Sequence, residues 1–198
     1  MKVWFIRHGE SQTNRDNMWT GWFDAALTEK GEQDALKARK ALSNLSFDKI
    51  YSSDLSRAKR TAEIAIPQCV YETSELLREF NVGSLAGKPG SIITPEEKAQ
   101  ALKQGFAKYG GETKEEFRKR ICDFLSVLEK SNYKNIAVFT HAGFMRGLLD
   151  VVLDTYISRE NIRCDNCAIG VFEYKNSGWV LHSWLNADNS AVVEINAF

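Results

Sequence analysis

The chain has 198 residues, 43% of them hydrophobic and 26% charged, and its 26 Lys and Arg are matched by 26 Asp and Glu. These ordinary globular proportions exclude the broad basic surface that nucleic acid or an anionic membrane requires, so a strong anion site has to be local. No apolar run reaches transmembrane length, and the N-terminal one is too short for a secretory leader, so a cytoplasmic single domain over residues 1–198 is expected.

Val3-Trp4-Phe5-Ile6 opens the chain as a buried strand, and polarity flips at Arg7-His8-Gly9. Thr28 to Leu45 carries Ala38, Ala41, Leu42 and Leu45 at helical spacing, and Phe47 to Ser52 predicts a second strand. Ser56 opens a helix with Ala58, Ala62 and Ala65 on one side, stopped by Pro67, and Val70 to Leu77 reads as a weaker, more polar strand. Gly83, Gly87, Pro89 and Gly90 mark a loop excursion, and a short lid is expected around residues 84–110. Two capping boxes follow. Thr94-Pro95-Glu96-Glu97 starts a short helix, and Thr113-Lys114-Glu115-Glu116 leads an amphipathic one bearing Phe117, Ile121, Phe124, Leu125 and Leu128.

Asn135 to Thr140 is apolar on both faces, as buried parallel strands are, and a helix runs from there to about Leu153. Ala168 to Tyr174 and Trp179 to Leu185 predict a hairpin around Asn176-Ser177-Gly178. Strands alternating with helices give an α/β fold: a three-layer αβα sandwich around a mostly parallel sheet, with at least one antiparallel strand from the hairpin.

In such sheets ligands bind beyond the carboxyl ends of the strands. Ile6 leads into Arg7-His8-Gly9, Tyr51 into Ser52-Ser53-Asp54-Leu55-Ser56-Arg57, and Phe139 into Thr140-His141-Ala142-Gly143. Two arginines and two histidines at one mouth repel one another unless an anion sits among them, and Arg suits the oxygens of phosphate. A phosphoryl site is the reading.

Arg7-His8-Gly9-Glu10-Ser11-x-x-Asn14 resembles the first motif of the histidine phosphatase superfamily, which includes the cofactor-dependent phosphoglycerate mutases. Gly21-Trp22-Phe23-Asp24-Ala25-Ala26-Leu27-Thr28-x-x-Gly31, Ser53-x-Leu55-x-Arg57-Ala58-x-x-Thr61-Ala62, Leu77-Arg78-Glu79-x-x-x-Gly83-x-x-x-Gly87 and Thr140-His141-Ala142-Gly143 are similar to further motifs of that family, in family order. The resemblance implies a phosphoglycerate mutase-like fold with His8 as nucleophile. It further implies Arg7, Arg57 and His141 on the phosphoryl oxygens and Glu79 as general acid and base, roles that the chemistry also supports. Asn14 is expected to donate to a phosphate oxygen. Thr20, Gly21 and Ala142 are carried over as substrate-binding positions.

Neither metal nor cofactor is implied, because the arginines neutralise the phosphate. The expected partner is a small-molecule phosphate ester or free phosphate, with no nucleic acid and no membrane, and homo-oligomerisation is compatible with the sequence. The lid region contains Lys88, Lys98, Lys103 and Lys108 but no Arg, and Gly110-Gly111-Glu112-Thr113 resembles the G-G-E-S of the phosphatase branch. Leu85-Ala86-Gly87 stands where that branch more often has W-E-G, so a lid of different shape is expected. The reading is a phosphomonoester hydrolase working through phosphohistidine, with a mutase-like phosphotransferase as the alternative and a non-catalytic phosphate-binding protein as the third class. Sugar phosphates, nucleotide-related esters and phosphoproteins all stay open as substrates.

Some residues keep two readings. Arg60, one turn past Arg57, either joins the site or is a solvated helix charge. Trp19, Trp22 and Phe80 either line the mouth or simply pack. Arg78 is expected to point away from Glu79, and His182 to be structural. Cys164-x-x-Cys167 lacks a second ligand pair for zinc and a helix N-terminus for redox work, so free thiols are expected.

Overall fold

A computed structural model describes residues 1–155 and 162–186, together with the backbone of 191–194. Its elements are β1 (Lys2–Arg7), α1 (Gln12–Arg15), α2 (Glu29–Leu42), β2 (Lys49–Ser53), α3 (Ser56–Ala65), β3 (Glu72–Ser74), α4 (Pro95–Gln104), α5 (Lys114–Glu129), β4 (Asn135–Thr140), α6 (Ala142–Val152), β5 (Ile169–Lys175), β6 (Gly178–Leu185) and β7 (Ala191–Glu194). The strands form one seven-stranded sheet in the order β3-β2-β4-β1-β5-β6-β7. β1 to β4 run parallel, and β5, β6 and β7 each pair antiparallel with the strand before them in the sheet. No helix among the described residues is long and apolar enough to cross a membrane.

Alternation along the strands explains the three layers. Val3 and Phe5 of β1 and Ile136 and Val138 of β4 join Phe117, Ile121, Phe124, Phe144 and Leu148 in one core, under α5 and α6. Ile6, Ala137 and Phe139 turn to the other face and meet Ala35, Ala38, Ala62 and Ile64 of α2 and α3. Alanines at these contacts let the two helices lie close to the sheet.

Both expected capping boxes form, at Thr94 and at Thr113. The hairpin closes through Asn176 and Ser177, at φ of 49° and 61°, the left-handed pair that matches strand twist. One strand is shorter than expected. Only Glu72–Ser74 of Val70 to Leu77 is extended, because β3 is an edge that pairs with β2 alone, and Glu75–Leu77 winds into a turn that buries Leu77. β7 adds a strand beyond the expected hairpin.

The register sets the site. Arg7 pairs with Thr140, and Ser52 with Phe139, so β1, β2 and β4 end level at one edge.

Candidate active site

His8 follows the last residue of β1, and its amide donates to the Thr140 carbonyl at 3.0 Å. Its Nδ1 lies 2.6 Å from the Gly9 carbonyl, which only accepts, so Nδ1 carries the proton. Its Nε2 lies 3.3 Å from Arg57 Nε, which only donates, so Nε2 presents a lone pair. Burial first, then the charges of Arg57 and Arg7, hold this imidazole well below its ordinary pKa. The ring is therefore neutral at neutral pH. Gly9 is required here because a Cβ would strike the Gly31 carbonyl, where the start of α2 crosses the loop.

Arg57, at the start of α3, is fully buried and donates to the carbonyls of Phe23 and Gly21, both at 2.9 Å. Burial lowers it to about 10, which leaves it charged at neutral pH. Arg7 donates to the Cys164 carbonyl at 2.6 Å and to Asn14 Oδ1 at 3.5 Å, and its buried Nε has no partner among the described residues. Neutral oxygens, not carboxylates, hold both guanidinium groups. Neither makes an ion pair among the described residues, although the charges of Glu79, Asp24 and Asp54 favour the charged form of Arg57.

Asn14 is oriented by what its oxygen receives. Oδ1 accepts from the Ser11 amide at 3.3 Å, Asn166 Nδ2 at 3.4 Å and Arg7, so only its Nδ2 is left to donate to a ligand. Asn166 also donates to the His8 carbonyl at 3.2 Å, and the Cys167 amide to the same oxygen at 3.3 Å. The C-x-x-C segment thus supports Arg7 and His8 through its backbone and Asn166. Cys164 and Cys167 are buried free thiols; burial raises both, Cys167 to about 12.

His141 caps the N-terminus of α6 and is fully buried. Its ring lies 5.1 Å from that of His8, its Nε2 is 2.9 Å from Ser53 Oγ, and its Nδ1 has no partner among the described residues. Burial, then Arg57, holds it well below its ordinary pKa as well.

Glu79 accepts from the Phe80 amide at 2.9 Å and from the Gly143 amide, in the first turn of α6, at 3.0 Å. A Cβ at Gly143 would collide with this carboxylate. Arg120 of α5 secures the loop beneath it. One guanidinium donates to the carbonyls of Leu76, Arg78 and Glu79 at 2.8, 2.7 and 3.0 Å and forks onto Glu112 at 2.7 and 2.8 Å. Trp22 donates to the Glu79 carbonyl at 2.8 Å, while Arg78 turns away to Asp54 at 2.9 Å.

Arg7, His8, Asn14, Thr20, Gly21, Arg57, Glu79 and Ala142 all line one cavity of about 440 Å³; His141 stands behind it and is not among the lining residues. Trp19 and Phe80 also line it, whereas Trp22 holds the Glu79 loop instead. From the lid, Gly90, Lys98, Leu102 and Phe106 contribute a wall. Arg60 is a surface charge paired with Glu32 at 2.8 Å, and His182 pairs with Glu173 at 2.6 Å in the hairpin. No group of three or more His, Cys, Asp or Glu among the described residues is placed to hold a metal ion.

Sequence reasoning missed Asn166, Arg120 and the role of Glu112. Arg120 had a signal: it follows Phe117 by three residues and so interrupts the apolar stripe of α5. Asn166 had none.

Imidazole and guanidinium groups converge at the carboxyl ends of parallel strands in an αβα sandwich, an arrangement whose chemistry suits a tetrahedral oxyanion. The chain belongs to the histidine phosphatase superfamily (branch 1), whose model matches residues 3–187; its members are phosphatases and mutases that work through a phosphohistidine. The probable phosphoglycerate mutase GpmB of Salmonella choleraesuis is 32% identical over 194 residues, covering 93% of this chain and 90% of that protein. The structure of TTHB049 from Thermus thermophilus superposes with a TM-score of 0.72 at 32% identity, covering 91% of this chain and 98% of that one. The α-ribazole phosphatase of Shigella flexneri has the same fold, with a TM-score of 0.80 at 24% identity over 91% and 94% of the two chains.

Proposed function

We propose that this protein hydrolyses phosphomonoesters of small metabolites through a phosphohistidine on His8, without a metal ion. The observation that carries the reading is the neutral His8 tautomer, proton on Nδ1 and lone pair on Nε2, beside two arginines that make no ion pair with a carboxylate among the described residues. Nε2 attacks phosphorus, the ester P–O bond breaks, and Glu79 in its protonated form gives the leaving oxygen its proton. Water then attacks the phosphohistidine, Glu79 takes a water proton, and the N–P bond electrons return to the imidazole. Arg7 and Arg57 offset the charge spread over the equatorial oxygens, which is why no ion is needed.

A second reading, phosphoglycerate mutase, is favoured by the GpmB relative and by a Thermus thermophilus structure described as phosphoglycerate mutase, 31% identical with a TM-score of 0.72. A mutase has to hold a two-phosphate intermediate, which calls for two cationic clamps. Among the described residues Arg7 and Arg57 make one. Beyond them the cavity is lined by one further guanidinium, Arg146, with Lys98 of the lid, a set suited to a single monoanion rather than to a second phosphate dianion, and Lys108 is occupied by Glu97 at 2.7 Å. Hydrolysis is therefore the reading adopted.

The test is phosphate release from a panel of esters in EDTA, with isomer formation from phosphoglycerates followed in parallel. Wild-type protein is expected to release phosphate and to yield an acid-labile, base-stable phosphoenzyme on rapid quenching, and His8→Ala to do neither. Turnover by His8→Ala ends the covalent reading; primer-dependent isomerisation with little hydrolysis transfers the protein to the mutases.

A further inference from the structure

The cavity extends past the phosphoryl clamp into a region that the hydrolytic chemistry does not use. Trp19, Phe106, Phe80 and Phe117, all buried lining residues, form a continuous aromatic wall, with successive ring centroids 5.5, 4.9 and 4.3 Å apart. Gly143, Arg146 and Gly147 line the same cavity from one face of α6. Arg146 is three residues past the amide that holds Glu79, about 4.5 Å further along the helix axis.

Arg146 has no carboxylate and no hydrogen-bond acceptor among the described residues, and its Nε is buried without a partner. Trp19 Nε1 is likewise buried and unpartnered. Other lining charges are occupied: Lys114 pairs with Asp150 at 2.7 Å, and Glu10 with Lys30 at 3.2 Å. Lys98 leans over Trp19, 5.5 Å from its ring centroid, and adds positive charge from the lid. Buried donors in native proteins have partners, yet Arg146 Nε, on a half-buried guanidinium, and Trp19 Nε1 have none among the described residues. Two such donors beside an aromatic wall therefore point to acceptors that arrive with the ligand.

We propose that Arg146 and the indole N–H of Trp19 receive an anionic group on the leaving group, so that the substrate is the phosphate ester of a flat, apolar alcohol carrying a carboxylate or comparable monoanion. One guanidinium suits a single planar anion. A leaving group as small as glycerate would leave the aromatic wall uncovered. The assignment rests on the cavity being the phosphomonoester site.

The experiment compares phenyl phosphate with 4-carboxyphenyl phosphate, whose leaving groups differ little in basicity, and the non-hydrolysable phenylphosphonate with 4-carboxyphenylphosphonate. Wild-type protein is expected to prefer the carboxylated member of each pair, in kcat/KM and in calorimetric affinity. Arg146→Gln should shrink that preference about 10- to 100-fold, Arg146→Lys should restore part of it, and Trp19→Phe should shrink it about 3- to 10-fold. The change should fall on KM, because the contact is remote from the bond that breaks. Thermal melts confirm that the variants are folded. Equal handling of both pairs by wild type, or a preference untouched in Arg146→Gln, overturns the subsite even while phosphate is released. Selective phosphonate binding without turnover of either ester upholds the subsite and sinks the hydrolase reading instead.

Discussion

Asn166 uses one amide nitrogen to hold two members of the clamp, the His8 carbonyl and Asn14 Oδ1. Without it, less prevents Asn14 from turning its oxygen toward the anion, where it would repel. Asn166→Ala is therefore expected to lower kcat/KM about 10-fold, the worth of one orienting hydrogen bond near charge. In a double-mutant cycle, Asn14→Ala should cost clearly less once Asn166 is gone; losses that simply multiply would show that Asn166 acts elsewhere. This residue also marks how far the site could be read in advance. Arg7, His8, Arg57 and Glu79 sit beside the turns that aim them, so their local sequence carries the pattern. Asn166 and Arg120 act through contacts between distant segments, and only folding brings those together.

The element that carries Glu79 is not a strand. After β3 ends at Ser74, the chain crosses the cavity on turns, and its carbonyls go to a side chain, Arg120, rather than to a ladder. Replacing Arg120 with Met keeps packing volume and removes the clamp. Glu79 should then drift from the leaving oxygen, and turnover of alkyl phosphates should fall about 100-fold more than that of p-nitrophenyl phosphate, which needs little proton donation. The half-broken pair also leaves Glu112 nearly buried with only the Asn81 amide, at 2.8 Å, as partner, a cost of about 3–5 kcal/mol that Arg120→Met with Glu112→Leu should recover in part, since the Asn81 amide then loses its acceptor. Equal losses on the two esters would show that the clamp does not position the acid. Among the elements, β4 was legible to the residue because both of its faces are buried, while β3 shrank because an edge pairs on one side. β7, four residues long, offers too short an alternation to read.

At the scale of the whole molecule, two buried neutral histidines make stability depend on pH. Unfolded, each ring titrates near 6.5; folded, His8 and His141 stay neutral far below that. Between those limits the unfolded chain binds protons that the folded one does not, so stability is full above about pH 6.5 and falls as the pH falls. The slope reaches up to about 1.4 kcal/mol per pH unit for each ring. Urea midpoints measured from pH 7 to 5 should drop accordingly, and His8→Asn should remove about half of the slope from this pair. A midpoint that stays level would mean that both rings accept protons in the fold, and half the expected slope that one of them does. The position of β1 between β4 and β5 has a consequence for how the molecule is born. β1 is translated before both of its hydrogen-bonded neighbours, which begin at Asn135 and at Ile169. His8, the proposed nucleophile, is thus made well before the strands that flank β1, so a chain still being translated carries it but lacks the neighbours that complete its pocket.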